Sequence, residues 1–316
     1  MLAEQSERWQ LFYEKTWAER AEYMRSLLNT GKYNTMQIIS MLEKKQRFFQ
    51  LAIIRSKNND ENNADNQNAD VRWLPIRFDA KKEHRMFNGV PMIKHVGLLG
   101  NLVSVPFYTQ CRIDQLLIDL IDTTGPYDAV IELGCGYGRN LFNIFYGGGP
   151  TDICYFGGEY TKSGEEICRD LATATPSMKT QFFHFNHLEP DLSIIREKFE
   201  RVFIFTVHTI EQVTRIPDNW FSAVSKVAPF VRCVHIEPFG FQATQLGPLS
   251  KIHKESFVKN QWNMNFYENF LNAKDRNEIE IEDCLIENLY STDICNMSSF
   301  AVWKHGEDRF PPHIIE

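Results

Sequence analysis

Hydrophobic positions follow two rhythms along this 316-residue chain. Over about 4–56 they recur at near-helical spacing: Trp9, Phe12, Tyr13, Trp17, Ala21, Met24 and Leu28, with charges between them. Gly31 closes that run. A second covers Met36–Ile54 through Ile38, Ile39, Met41, Leu42, Phe48, Leu51 and Ile54. The spacing predicts two helices, either packed on a core or lying as a cap over a ligand pocket. Residues 56–70 are nearly all polar and rich in Asn and Asp, too poor in apolar area to offset their ordering entropy, so they read as a loop or linker. Residues 71–78 read as a short strand that Pro75 confines to a sheet edge.

From about 107 the rhythm changes to alternating helix and strand. Helical patterns cover 109–124, 139–147, 163–174, 218–228 and 268–275. Short apolar runs between and after them, at 127–133, 152–158, 181–185, 201–207, 232–238, 279–288 and 298–304, read as seven strands. This alternation predicts an α/β fold: a doubly wound, mostly parallel sheet covered by helices on both faces, with the last two strands as an antiparallel hairpin at one edge. The domain boundary falls near 100, separating an N-terminal helical extension (1–100) from the sheet domain (101–316). No internal repeat is visible.

Composition narrows the function classes. Lys and Arg number 34 against 41 Asp and Glu, a net charge of −7. That disfavours nucleic acid as partner, since a general nucleic-acid binder carries a basic footprint. Seven cysteines without a C-x-x-C pair argue against a disulfide framework or a zinc knuckle. The charged N-terminus lacks a signal-peptide core, and no apolar run is long enough to span a membrane, so a reducing cytoplasm is expected.

The most informative segment is Glu132-Leu-Gly134-Cys-Gly136-Tyr-Gly138-Arg-Asn140, directly after a buried-type strand and opening a helix. A dinucleotide-binding turn starting at Gly134 would need glycine at 139, where Arg139 stands, and a Walker loop would need G-K-[ST]. The E-x-G-x-G-x-G pattern instead resembles the first motif of the class I S-adenosylmethionine-dependent methyltransferases. Downstream segments extend the resemblance over about 107–305: Glu159-Tyr160 after the second strand, Asn186 after the third, Thr206 to Gln212 after the fourth, and a last antiparallel strand at 298–304. The resemblance implies a seven-strand Rossmann-like domain. It also implies S-adenosylmethionine as cofactor and S-adenosylhomocysteine as product. The expected cofactor contacts are Glu132, Gly134, Gly136, Gly138, Asn140, Glu159, Tyr160, Asn186 and Thr206, with Glu159 on the ribose hydroxyls.

Candidate chemistry lies at the strand ends. His208, after the fourth strand, is a sensible base for a hydroxyl nucleophile, and Glu211 three residues on could orient it. His187 is an alternative base, while His184 reads as core. Glu237 ends the fifth strand. Residues 240–265 read as a substrate loop or lid, with Trp262, Asn263 and Asn265 as acceptor contacts beside Glu237. His208, Glu211, His235 and Glu237 show no ligand spacing that selects a metal, and none is expected. The segment from Thr206 to Gln212 loosely resembles that of bacterial sugar and polysaccharide-associated methyltransferases. This favours O-methylation of a sugar or other small hydroxylated metabolite. N-methylation of a protein or RNA, a nicotinamide oxidoreductase, and a noncatalytic cofactor binder remain alternatives, and a homo-oligomer is compatible with the sequence.

Overall fold

The computed structural model describes residues 2–54, 70–76, 85–293 and 296–308. The expected linker at 56–70 lies outside them except for its last residue. At the N-terminus stand α1 (Leu2–Leu28) and α2 (Thr35–Phe48), the latter opened by a capping box in which Asn34 and Gln37 satisfy each other's backbone N–H. The helix expected to run to Ile54 stops at Phe48. Phe49–Ile54 is a strand, β1, paired antiparallel with β2 (Asp70–Pro75). The run Phe49-Gln-Leu-Ala-Ile-Ile satisfies either period, and cross-strand pairing decides it. A second small sheet, β3 (Arg85–Phe87), β4 (Val90–Leu98) and β5 (Asn101–Pro106), occupies the region expected to be helical or loop. The β4–β5 hairpin is continuously paired from Ile93 to Pro106, so its turn spans the boundary expected near 100.

The main sheet has seven strands: β6 (Ala129–Leu133), β7 (Cys154–Glu159), β8 (Lys179–His184), β9 (Arg201–Val207), β10 (Phe230–Glu237), β11 (Glu280–Leu289) and β12 (Ser298–His305). Their spatial order is β11-β12-β10-β9-β6-β7-β8. Five are parallel, while β12 runs antiparallel to both β10 and β11. This is the doubly wound, Rossmann-like sheet expected from the alternation. The helices are α3 (Ile113–Thr124), α4 (Arg139–Tyr146), α5 (Lys162–Thr173), α6 (Trp220–Ser225), α7 (Gly240–Ala243), α8 (Pro248–Asn260) and α9 (Phe266–Asp275).

Strand alternation sends successive side chains to opposite layers. Val130, Phe203, Phe205, Val234 and Ile236 join a core with α1 to α5, through Ala21, Met24, Ile39, Leu117, Leu141 and Ile167 among others. Ile131, Val202, Ile204, Val231 and Cys233 join the opposite core under α6 and α9. The N-terminal helices thus share the sheet's own hydrophobic layer. The segment expected as a polar lid at 240–265 is mostly helix. Pro248 begins α8 at the position where its missing N–H costs nothing, and Leu249, His253 and Phe257 form its buried stripe.

The sheet order reverses between β6 and β9. The chain winds outward through β7 and β8, then returns to place β9 on the other side of β6. Ligands of such sheets collect outside the strands' carboxyl ends at this switch point.

Candidate cofactor and acceptor site

At the switch point the glycine turn folds back on β7. Gly134 N and Cys135 N both donate to Gly158 O, at 2.7 and 2.9 Å. Gly134, Gly136 and Gly138 all adopt positive φ, +84°, +58° and +76°. A Cβ on Gly134 would stand 1.9 Å from Thr209 Oγ1, the first residue of the 3-10 turn region beyond β9. A Cβ on Gly136 would stand 2.7 Å from the Trp17 indole. The turn is therefore pinned between the end of β9 and helix α1.

Two carboxylates flank it. Glu159 is 5% exposed and fully engaged: Oε2 accepts from Gly136 N at 2.8 Å, and Oε1 from Thr161 N at 2.8 Å and Thr161 Oγ1 at 2.6 Å. Burial raises its pKa, against these hydrogen bonds. Glu132 is 1% exposed and half engaged: Oε1 accepts from Asn140 Nδ2 at 2.6 Å, while Oε2 is buried without a hydrogen-bond partner among the described residues. Burial pushes its carboxyl up to about 8, over the opposing effects of Asn140 and Arg139. An orphaned carboxyl oxygen beside a glycine turn is a site for a cation or a donor, because leaving it unpaired costs about 1–3 kcal/mol.

The remaining expected cofactor residues divide. Asn140 serves through Glu132. Tyr160 is partly exposed, its ring 5.4 Å from that of His184, which is exposed at the end of β8 and not in the core as expected. Asn186 Oδ1 accepts from Leu188 N at 2.9 Å, closing a turn after β8. Thr206 is fully buried, its Oγ1 2.9 Å from His235 Nδ1. The far nitrogen of that histidine accepts from Trp303 Nε1 at 2.9 Å, and burial lowers its pKa to about 3. His235 and Thr206 are thus interior partners.

The acceptor-side residues sit beyond β9 and β10. His208 has φ +50°, a left-handed conformation that aims its ring across the strand ends. Its Nδ1 lies 3.2 Å from Glu211 Oε2 and its Nε2 2.6 Å from Ser298 Oγ, at the start of β12. Burial pulls the imidazole pKa down, but Glu211, by charge and hydrogen bond, with Glu237 and Asp293, leaves it raised. Glu211 Oε1 accepts from Asn296 Nδ2 at 3.1 Å. Ser298 and Asn296 were not singled out from sequence; short polar residues before a strand carry no signal of their own. Both oxygens of buried Glu237 accept from Thr209 N at 3.1 Å, and burial, then Glu211, lifts its carboxyl to about 7. His187 Nε2 lies 3.1 Å from Thr209 Oγ1, and burial lowers its pKa to about 3.

A shallow groove lies here, lined by Glu211, Glu237, Phe239, Gln242, Asn263 and Phe266 among others. The residues expected as acceptor contacts in 262–265 are committed elsewhere. Asn263 donates to Val213 O and accepts from Asn265 N and Phe266 N. Asn265 is fully buried and brackets Ile216, accepting from its N–H at 3.0 Å and donating to its carbonyl at 2.9 Å. The two amides fasten the start of α9 to the loop after β9. Trp262 packs its ring on Phe257, centroids 5.1 Å apart.

No family model and no curated protein sequence matches the chain. Solved structures do. A geranyl diphosphate C-methyltransferase from Streptomyces coelicolor, solved with Mg2+, geranyl diphosphate and S-adenosyl-L-homocysteine, is 13% identical with a TM-score of 0.43, over 62% of this chain and 78% of that one. An O-methyltransferase from Bacillus cereus in complex with SAH is 14% identical with a TM-score of 0.41, over 64% and 84%. An O-methyltransferase family protein from Burkholderia thailandensis is 11% identical with a TM-score of 0.42, over 62% and 57%. At these identities the likeness is one of fold. Among the described residues, no helix is long and apolar enough to cross a membrane.

Proposed function

We propose that this chain is an S-adenosylmethionine-dependent methyltransferase that methylates a hydroxyl of a small, sugar-like acceptor. The observation that carries the cofactor reading is the glycine turn with Glu132 beneath it. The turn's glycines hold left-handed conformations between Thr209 and Trp17, and Glu132 Oε2 is buried without a partner among the described residues. An α-ammonium group docking there favours the ionised carboxylate, whereas an anionic phosphate would disfavour it. The residues therefore fit the cofactor: Glu132 for the amino group, the turn for the methionine chain, and Glu159 for the ribose. For the last role Glu159 must keep a lone pair free beside its three internal hydrogen bonds, which a carboxylate with about four acceptor sites can do.

When bound, S-adenosylmethionine supplies an electrophilic methyl group on a sulfonium. The chain's own work is to place the acceptor in line and take its proton, and positioning carries much of the acceleration. His208 Nε2 is the atom that receives the acceptor's hydroxyl proton. Glu211 on Nδ1 fixes the tautomer and stabilises the imidazolium that forms. Ser298 Oγ lies 2.6 Å from Nε2, and on this reading an acceptor hydroxyl would take its place. A cytoplasmic location is part of the same proposal.

The test is methyl transfer from labelled S-adenosylmethionine to a panel of sugars, nucleotide-linked sugars, amines and peptides. Label on a sugar oxygen supports the reading. Label on nitrogen alone replaces the acceptor class, and tight NAD binding without S-adenosylhomocysteine binding removes the methyltransferase assignment.

A further inference from the structure

Helix α1 lies across the strand ends and turns one face inward. Glu14 accepts from Lys162 N and Ser163 N, at 2.9 Å each, and from Ser163 Oγ, so an N-terminal carboxylate caps α5 just beyond Glu159. One turn later Trp17 covers Gly136 and stacks near Tyr137, ring centroids 5.6 Å apart. Nearer the acceptor side, Tyr13 is within electrostatic reach of Glu211. On the same face Arg20 places its guanidinium 4.6 Å above the Trp17 ring. Residues 13, 17 and 20 thus form an i, i+4, i+7 stripe from the acceptor side to the glycine turn.

Arg20 is the unusual member. Its Nε is buried without a hydrogen-bond partner, and among the described residues no carboxylate lies within ion-pair distance of it. Its electrostatic neighbours are the phenols of Tyr13 and Tyr137, and burial lowers its pKa. The two buried arginines among the described residues have carboxylate partners: Arg201 with Asp308, Arg232 with Glu282 and Asp308. Arg20 as a whole is half-buried, so Nε is shut off while the terminal nitrogens are open to an anionic ligand. Tyr137 also lies within electrostatic reach of both Arg20 and Glu132. A half-buried cation with no ion-pair partner among the described residues and a buried, unpaired carboxyl oxygen thus both lie within electrostatic reach of one residue of the glycine turn.

We propose that Arg20 and Glu132 together form a zwitterion cradle, in which Arg20 on α1 binds the α-carboxylate of the cofactor's amino-acid end while Glu132 takes its α-ammonium. The inference rests on the cofactor reading above. It makes α1 an inner wall of the cofactor pocket, so its removal or displacement opens the site.

The test is calorimetry on the full chain without acceptor, using S-adenosylhomocysteine and S-adenosyl-3-thiopropylamine, the same thioether lacking only the carboxylate. Wild type should bind the first at least ~10-fold more tightly, as expected for a charge-assisted contact. Arg20→Met, which keeps the stem on Trp17, should lose ~10-fold for S-adenosylhomocysteine and change by less than ~2-fold for the decarboxylated analogue. Arg20→Lys should recover part of the loss. Equal binding of the two ligands by wild type, or equal losses for both in Arg20→Met, would overturn the cradle. Absence of any S-adenosylhomocysteine binding by wild type would instead overturn the cofactor reading itself.

Discussion

The two halves of the site differ in how completely they satisfy themselves. Beyond β9 and β10 most polar groups close on one another: both ring nitrogens of His208 are engaged, both oxygens of Glu237 hold Thr209 N, and Asn263 and Asn265 are spent on backbone, while Asn296 Oδ1 and His187 Nδ1, both uncharged, are left unpaired. Beside β6 the groups do not close. Glu132 Oε2 and Arg20 Nε are both buried and unpaired. Buried polar groups are normally satisfied, so on the proposed reading a charged ligand would complete the groups beside β6, and a substrate would replace an internal contact beyond β9. The cofactor side is built to be completed, the acceptor side to be rearranged.

The difference can be broken at several points. His208→Ala should lower turnover ~10²–10⁴-fold, the range for losing a general base, with S-adenosylhomocysteine affinity nearly intact. The wild-type rate should fall as pH drops, because the imidazole must be neutral to accept a proton. Its pKa is raised, so the acidic limb should lie above pH ~6.5, the ordinary histidine value. A pH profile of both proteins checks this. A mutant within ~3-fold of wild type that keeps the limb would move the role to another group.

Next in size is Glu159→Ala, which removes a carboxylate that braces the glycine turn and, on the proposed reading, holds the ribose. Cofactor affinity should fall ~10-fold or more, read by calorimetry. Unchanged affinity would leave Glu159 as a brace alone.

Asn265→Ala sharpens the contrast from the closed side. It orphans the backbone of Ile216 inside the fold and should cost about 1–3 kcal/mol of stability by denaturant titration. Acceptor KM should be unaltered. A KM change without a stability change would return Asn265 to the acceptor contacts.

The smallest expected effect is Ser298→Ala. If the acceptor hydroxyl takes Ser298's place at His208 Nε2, turnover should stay within ~3-fold of wild type. A loss near that of His208→Ala would make Ser298 a proton relay instead.

The sheet was legible because β6, β9 and β10 are continuous apolar runs separated by helical patterns, which only a two-sided parallel sheet explains. Glu132-Leu-Gly134-Cys-Gly136-Tyr-Gly138 was legible because its function lies in backbone shape, and glycine spacing records that shape. The acceptor half was not. His208, Glu237 and Ser298 meet only through the pairing of β9, β10 and β12, and no local pattern foretells that Ser298 reaches His208. Asn263 and Asn265 looked like ligand contacts because exposed and buried amides are alike in sequence. The strand at Phe49–Ile54 and the sheet from β3 to β5 were missed because short apolar runs fit both periods until partners are known. Arg20 was hidden in plain sight, one of several charges on an amphipathic helix, and only its buried, unpaired Nε sets it apart.

The most direct test of the open cofactor half is the proton balance of binding. Free Glu132 has its carboxyl raised to about 8, so at pH 7 it is mostly protonated; its folded pKa lies above the ordinary value and it ionises only as pH rises. An ammonium group docking on it should expel that proton. S-adenosylhomocysteine titrated calorimetrically at pH 7 in buffers of different ionisation enthalpy should release up to about one proton per site. The release should fade above pH ~9 and vanish in Glu132→Gln. Binding with no proton release at pH 7, or release unchanged in Glu132→Gln, would contradict the assignment of Glu132 as the cofactor's ammonium partner.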